Sequence, residues 1–328
     1  MLNNITNFFN LVSGRRIKTT VNPTDLVALG IQDPRTPGIY QPAAIRACDL
    51  GGGGGSSSIM ILGSGTCSTM RCGNANTASG YASTVSGGNN NNASYNYSTV
   101  SGGYSNTASG SKSTVSGGAG NTSSGIYSTV SGGSNNTASG YWSTVSGAIN
   151  NTASAYYSTV SGGSNNISSG IGSFIGGGGL NTVSGNHATI SGGCSNLVQN
   201  NCGTIGGGIL NRVCGIYGTV SGGYNNAALS IYGTVSGGYN NDALGTNSTV
   251  SGGNSNTASG YASGILGGMC NTTPFCKSFI VGSNITSDRV CTTFVNALSM
   301  KTAPTSSAGL PAGTVWVDTA AGNVLKMV

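Results

Sequence analysis

The chain reads as an all-β protein, a parallel β-solenoid, and three observations carry that reading. From Ser68 to Lys277 one 15-residue unit, consensus STVSGGxxNTASGxx, runs through 14 copies without insertion or deletion. Position 3 of the unit is apolar, and position 9 is Asn, in all 14 copies. Positions 5 and 6 are each Gly in 13 of the 14. A period this short, with tight corners and two brief alternating stretches, fits one rung of a parallel coil and no helical repeat.

Taken in order, residues 1–50 read as an N-terminal attachment segment. Pro23, Pro34, Pro37 and Pro42 favour extended, turn-rich backbone over helix, and the segment holds five of the twelve basic residues. It would dock the rod onto a larger body; a loose leader is the other reading. Gly51–Ser58 (GGGGGSSS) reads as a flexible hinge. Residues 59–67 open with the apolar run Ile59-Met60-Ile61-Leu62 and are expected to cover the start of the coil, because an exposed strand edge templates aggregation.

Within each rung the pleat sends position 3 inward, and by the same alternation Asn at 9 and Ala at 11 face in while 10 and 12 face out. Gly at 5, 6 and 13 is expected to supply the positive φ of the corners. The stacked asparagines are Asn76, Asn91, Asn106, Asn121, Asn136, Asn151, Asn166, Asn181, Asn196, Asn211, Asn226, Asn241, Asn256 and Asn271. They are expected to pass side-chain amide hydrogen bonds along the axis. With strands about 4.8 Å apart, the rungs make a rod of roughly 65–70 Å.

One Val and one Ala per rung contribute only about 2 kcal/mol against the ordering of the whole rung. Either asparagine ladders and backbone pairing supply the rest, or rods associate. Position 14 favours association, with Tyr81, Ile126, Tyr141, Tyr156, Ile171, Ile216, Ile231 and Tyr261 along one edge as the expected seam of a homotrimer. Residues 278–300 begin in register as a fifteenth rung and then leave the consensus, as an exit cap, so the rod with its caps spans 59–300. Residues 301–328 read as a linker and a β-hairpin tip, Thr314–Thr319 and Asn323–Val328 alternating around Ala320, Ala321 and Gly322. Trp316 is expected to pack within that tip.

The unit resembles the head repeats of trimeric autotransporter adhesins over about two thirds of the chain. That resemblance implies a left-handed parallel β-roll in each of three chains. The ends depart from that family: the N-terminus has no charged n-region before an apolar core, and the C-terminus has no strands suited to an outer-membrane barrel. The first 50 residues resemble attachment segments of phage tail fibres, and the last 20 resemble C-terminal hairpins of phage and algal-virus fibre proteins. The NTVSG-like runs also resemble plant ice-binding β-rolls, with Thr at position 2 in 12 of 14 units.

Composition narrows the function. Charged residues are 5% of the chain, Glu is absent, and Gly is 58 of 328. The net charge of +6 comes largely from outside the rod's middle, and the repeats carry only Arg71, Lys112, Arg212 and Lys277, scattered, which gives no stripe for nucleic acid. No run of 18 apolar residues suggests a membrane span. One His and six scattered Asp give no paired carboxylates, and no GxSxG or phosphate-loop pattern occurs, so no enzyme and no cofactor is expected. The nine cysteines are odd in number, without CxxC, and read as thiols; His187, Cys194 and Cys202 are spaced irregularly for a metal, and none is expected.

Position 15 carries Tyr97, Tyr127, Trp142, Tyr157, Tyr217 and Tyr232, expected to form interrupted aromatic rows. Flanked by Ser, Thr and Asn, such rows suit the faces of sugars; they would equally cover a seam between protomers. Positions 14 and 15 share one corner, so only one of them is expected to face solvent. The functional expectation is a non-enzymatic virion appendage, a tail fibre, head fibre or spike made in the host cytoplasm. It would bind capsid or tail proteins through residues 1–50 and a host glycan or protein receptor through the rod, without entering a membrane. An ice-binding roll and a cell-surface adhesin or filament are the alternatives.

Overall fold

The computed structural model describes residues 30–32, 40–42, 60–71 and 75–297, together with parts of 305–327. The chain divides into two units, residues 1–59 and 60–328. In the first, Gly30–Gln32 pairs antiparallel with Tyr40–Pro42. The rest of residues 1–50, expected to form an attachment segment, and residues 51–58, expected to form a hinge, lie outside the described residues. The second unit is an all-β parallel solenoid of about fifteen turns, with no helix among the described residues.

Each rung contributes two short strands. Positions 2–3 build one parallel ladder, in which Thr99-Val100 lies over Thr114-Val115 and Thr129-Val130 without a shift of register. Positions 10–11 build a second, of 14 strands, from Thr77-Ala78 to Thr272-Thr273. Position 7 adds single parallel bridges from Asn89 to Met269. A repeat free of insertions is what permits this, since every residue meets its own equivalent one rung away.

The interior is narrow. Val or Ile at position 3 and Asn at position 9 are buried, and so is Ala at position 11, as in Val100, Asn106 and Ala108. The alternation of the sequence holds at these three positions. It also buries the position 1 side chain, in phase with position 3: Ser98, Ser113 and Ser143 are fully enclosed. The Ser143 Oγ donates to Gly140 O at 2.7 Å, tying the serine to the turn before it.

The corners differ from expectation. Positive φ occurs at position 5 in most rungs, as at Gly147 with φ +147°, and at positions 6, 8 and 15, but not at position 13. At position 6 Gly is required twice over: Gly103 has φ +94°, and a Cβ there would lie 2.1 Å from the carbonyl oxygen of Gly118 on the next rung. Ala148, at φ +64°, is the exception. Positions 8 and 15 hold mostly non-glycine residues in the left-handed region, with Asn recurring at position 8, where its short polar side chain tolerates it.

The asparagine column also works differently from an amide-to-amide stack. Asn106 donates from Nδ2 to Gly102 O at 2.9 Å in its own rung and to Gly118 O at 2.8 Å in the next. Its Oδ1 accepts the backbone N–H of Asn121 at 3.0 Å. Each side chain thus serves three backbone groups: the own-rung carbonyl and the next Asn N–H have no backbone partner here, while the next-rung carbonyl, Gly118 O, also accepts the Tyr104 N–H at 2.9 Å. Direct amide-to-amide contacts supplement this in some rungs, as from Asn166 Nδ2 to Asn151 Oδ1 at 3.1 Å and from Asn256 Nδ2 to Asn241 Oδ1 at 3.0 Å. Asp would lose the donors and Gln would overreach, so Asn never varies.

At its start the first ladder is met by Met60–Leu62, antiparallel to Thr69–Arg71. At its end Phe279–Val281 continues the parallel register, and Thr293–Val295 follows after 14 residues instead of 15. The deletion sets Ile285 at the ladder position, its N–H donating to Asn271 Oδ1 at 3.0 Å. Val315–Asp318 and Val324–Met327 pair antiparallel.

Candidate functional site

The corner made by positions 13, 14, 15 and 1 carries the aromatic side chains. It is a four-residue turn: the Ser143 N–H donates to Gly140 O at 3.2 Å, and the residue between strand and corner, Trp142, has φ +52°. The Trp142 N–H donates to Ile126 O of the rung before at 3.0 Å, so successive turns are pinned in a column. A left-handed residue at the apex leans its side chain outward, and every rung repeats that direction.

The result is a set of stacked rings. Tyr127 and Trp142 lie 5.4 Å apart between centroids with planes within 3°, and Trp142 and Tyr157 lie 5.2 Å apart within 6°. Tyr217 and Tyr232 repeat the arrangement at 5.2 Å. Position 14 adds Tyr141 over Tyr156 at 4.8 Å, which joins the other row through tilted contacts with Trp142 and Tyr157. Tyr97 stands apart from Tyr127, because Lys112 occupies the rung between them. The Lys112 Nζ lies 4.7 Å from the Tyr127 ring centre and 2.6 Å from its hydroxyl, and that hydrogen bond, with the nearby phenol, raises the ammonium above its ordinary range.

Two expectations change at this corner. Positions 14 and 15 both face solvent in the single chain: Tyr156 is 47% exposed and Tyr157 57%. The turn splays neighbouring side chains to either side of its apex instead of hiding one. Of the position 14 row, Tyr81, Tyr141, Ile171, Ile216, Ile231 and Tyr261 are likewise exposed, and Ile126 is half-buried. Second, stacking at the rung spacing turns ring faces toward one another, so solvent meets edges and hydroxyls along the row. Whole faces are left free only at the ends of a row.

A further row was not read from the sequence. Position 7, one of the two unspecified positions at the other corner, places Tyr224 over Tyr239 at 5.2 Å, with Tyr104, Ile149 and Ile209 exposed along the same line. Leu180 and Leu210 at position 8 stand beside it, also exposed. The signal was available as the period itself, since any apolar residue at a left-handed or bridged corner position must point away from so narrow an interior.

Among the described residues no three His, Cys, Asp or Glu side chains converge on one point. His187 takes its place at position 15 beyond Gly172, and the seven described cysteines are free thiols. Cys214 meets Gln199 Oε1 at 2.8 Å and Arg212 Nε at 2.9 Å on the outer face of the second ladder.

Residues 98–110 match the family model described as the Ubiquitous surface protein adhesin repeat. The repeat is adhesin-like. The match covers positions 1–13 of one rung, the two strands and the asparagine, and stops before the ring-bearing apex. No curated protein sequence matches the chain.

Proposed function

We propose that the chain is the rod of an attachment appendage: an adhesin-like surface fibre that holds ring-bearing corners away from the body carrying it. The observation that supports this reading most is an adhesin-like repeat in unbroken register, which presents one corner identically many times over. Repetition suits weak contacts, because linked sites raise avidity without any single strong one. Tyr127, Trp142 and Tyr157, with Tyr141 and Tyr156 beside them and Lys112 at the end of the row, form the densest such surface. Edges and hydroxyls favour a ligand rich in hydroxyl groups that lies along the column, which makes a surface glycan the receptor class.

The carrier in this reading is a virion, with residues 1–50 bound to capsid or tail proteins, and the position 14 row is the seam of a parallel homotrimer. Gold-labelled antibody against the rod, applied to purified particles and to intact cells, separates a virion fibre from a cell-surface filament. Glycan-array binding of the purified full chain tests attachment. Trp142→Ala and Tyr157→Ala are expected to lower binding at least tenfold with the melting curve unchanged, and binding indifferent to both would remove the corner as receptor site.

A second reading has one observation in its favour: Thr84, Thr99, Thr114, Thr129, Thr144 and Thr159 stand in an unbroken, in-register row. Such a row matches the regular hydroxyl array of an ice-binding face. Ice recrystallisation that proceeds unhindered at high protein concentration would end that reading.

A further inference from the structure

The outer face of the second ladder is largely Thr and Ser, broken singly at Asn92, Ile167 and Pro274 and continuously from Leu197 to Leu244. Over those four rungs position 10 reads Leu197, Arg212, Ala227 and Asp242, and position 12 reads Gln199, Cys214, Leu229 and Leu244. Arg212 and Asp242 are the only charged residues among the 14 strands of that ladder. They flank Ala227 one rung to either side, in register. Two rungs, about 9.6 Å, separate them, and no ion pair joins them within the chain; Arg212 hydrogen-bonds Gln199 and Cys214 instead. Asp242 is half-buried with no counter-charge, and Leu244, exposed, lies beside it on the same strand face.

We infer that this face pairs with the same face of a second copy running antiparallel, about a two-fold axis through the Ala227 rung. That operation lays position 10 on position 10 and reverses the order of the rungs. Arg212 then meets Asp242 of the second copy, and Asp242 meets its Arg212, so both charges are paired and the contact closes on itself. Leu229 meets its own copy at the axis, and Leu244 meets Cys214. Alanine at the centre lets the two faces approach. A parallel partner does worse: only a two-rung stagger would pair the charges, once per contact, leaving the other two unpaired and the assembly open-ended.

The axis lies at the eleventh of 14 rungs, so two rods overlap over about seven rungs, roughly 34 Å, and their N-terminal rungs point away from one another. On a face about 10 Å wide this covers some 340 Å² of each partner, the size of a weak, reversible contact. If the attachment reading holds, it is the arrangement of fibres projecting from two facing bodies; the pairing itself does not depend on that reading.

Sedimentation equilibrium of the full chain over rising concentration, at low and high salt, tests the inference. The wild type is expected to double in mass reversibly, whether its basic unit is one rod or three, and less readily in 0.5 M NaCl, where exposed charges are screened. Arg212→Asp and Asp242→Arg should each hold the mass at half the wild-type limit, and the double variant Arg212→Asp/Asp242→Arg should restore doubling. Leu229→Cys should give a disulfide-linked pair above the wild-type background under mild oxidation, and should lose it when Arg212→Asp is added. Single reversals that leave association unchanged, a double variant that fails to restore it, or no additional cross-link at position 229 would each overturn the antiparallel pairing.

Discussion

Two stretches of the coil fill the same interior with different side chains. In the rungs from Ser83 to Gly172, position 1 is Ser and position 11 is Ala or Ser, all buried. There the position 1 hydroxyls are bonded in every rung but the one at Ser83, as Ser128 Oγ is to Gly125 O and to Ser123 Oγ, both at 2.7 Å. From Val183 onward position 11 becomes Val183, Val198 and Val213, and the following position 1 shrinks to Ala188, Gly203 and Gly218. A Cβ at Gly203 would stand 2.7 Å from Val198 Cγ1 and 2.9 Å from Val213 Cγ1. The volume of a rung is fixed by its backbone, so methyl groups gained on one strand must be given up on the other, and a hydroxyl that tied down a turn is lost with them.

The largest expected effect tests what the two stretches share. Asn151→Ala and Asn211→Ala each strand one carbonyl oxygen and one N–H, those of Gly147 and Asn166 in the first and of Gly207 and Asn226 in the second, and remove one of two donors from Gly163 O and Gly223 O. At about 1–3 kcal/mol for each buried group left unpaired, both should lose about 2 kcal/mol or more in urea denaturation, and by similar amounts. A clear inequality would mean that the surrounding packing, and not the ladder, sets the value. Next in size is Gly203→Ser, an overpacked rung expected to cost about 1–3 kcal/mol, most of it recovered when Val198→Ala and Val213→Ala are added. Were the triple variant as unstable as the single, volume exchange would not explain the pattern.

Smaller again, Ser143→Ala removes the bond to Gly140 O and should lower stability by about 1 kcal/mol, whereas Ala188→Ser, next to Val183, should gain nothing from its new hydroxyl. The least effect belongs to Asp242. Burial holds its carboxyl above the ordinary carboxylate range in the single rod, so its folded pKa exceeds the unfolded one. Ionisation then costs stability as the pH rises through that interval, and nothing below it. Asp242→Asn in dilute, unpaired rods should therefore raise the melting midpoint at pH 7 and leave it unchanged at pH 3.

Periodicity made the coil legible: one apolar position, one asparagine and paired glycines place positions 3, 9 and 11 inside with no further information. It said less about bonding. That Asn106 reaches two corner carbonyls and one N–H depends on where the chain turns, and a repeat gives the order of residues without the path between them. Position 13 was misjudged for the same reason: glycine there does not have the positive φ expected of a corner, whereas the left-handed residues are Asn, Tyr and Trp at positions 8 and 15. The exchange between Val198 and Gly203 was visible as a paired change in the letters, but its cause is a contact between one rung's end and the next rung's beginning. The rows at positions 14 and 15 were legible as rows; that their rings cover one another required the distance between rungs.

The asparagine column has a direction, and it stops. Each Oδ1 is occupied by the N–H of the succeeding Asn, until Asn271 is met by Ile285, whose side chain offers nothing to a further turn. Between those limits every rung sees the same neighbours above and below, so removing residues 98–112 would bring Asn91 against Asn121 with nothing left over. Length is thereby separated from architecture: a gene can lengthen or shorten this rod by whole units, about 4.8 Å at a time, while the two ends and all that they attach to stay as they are.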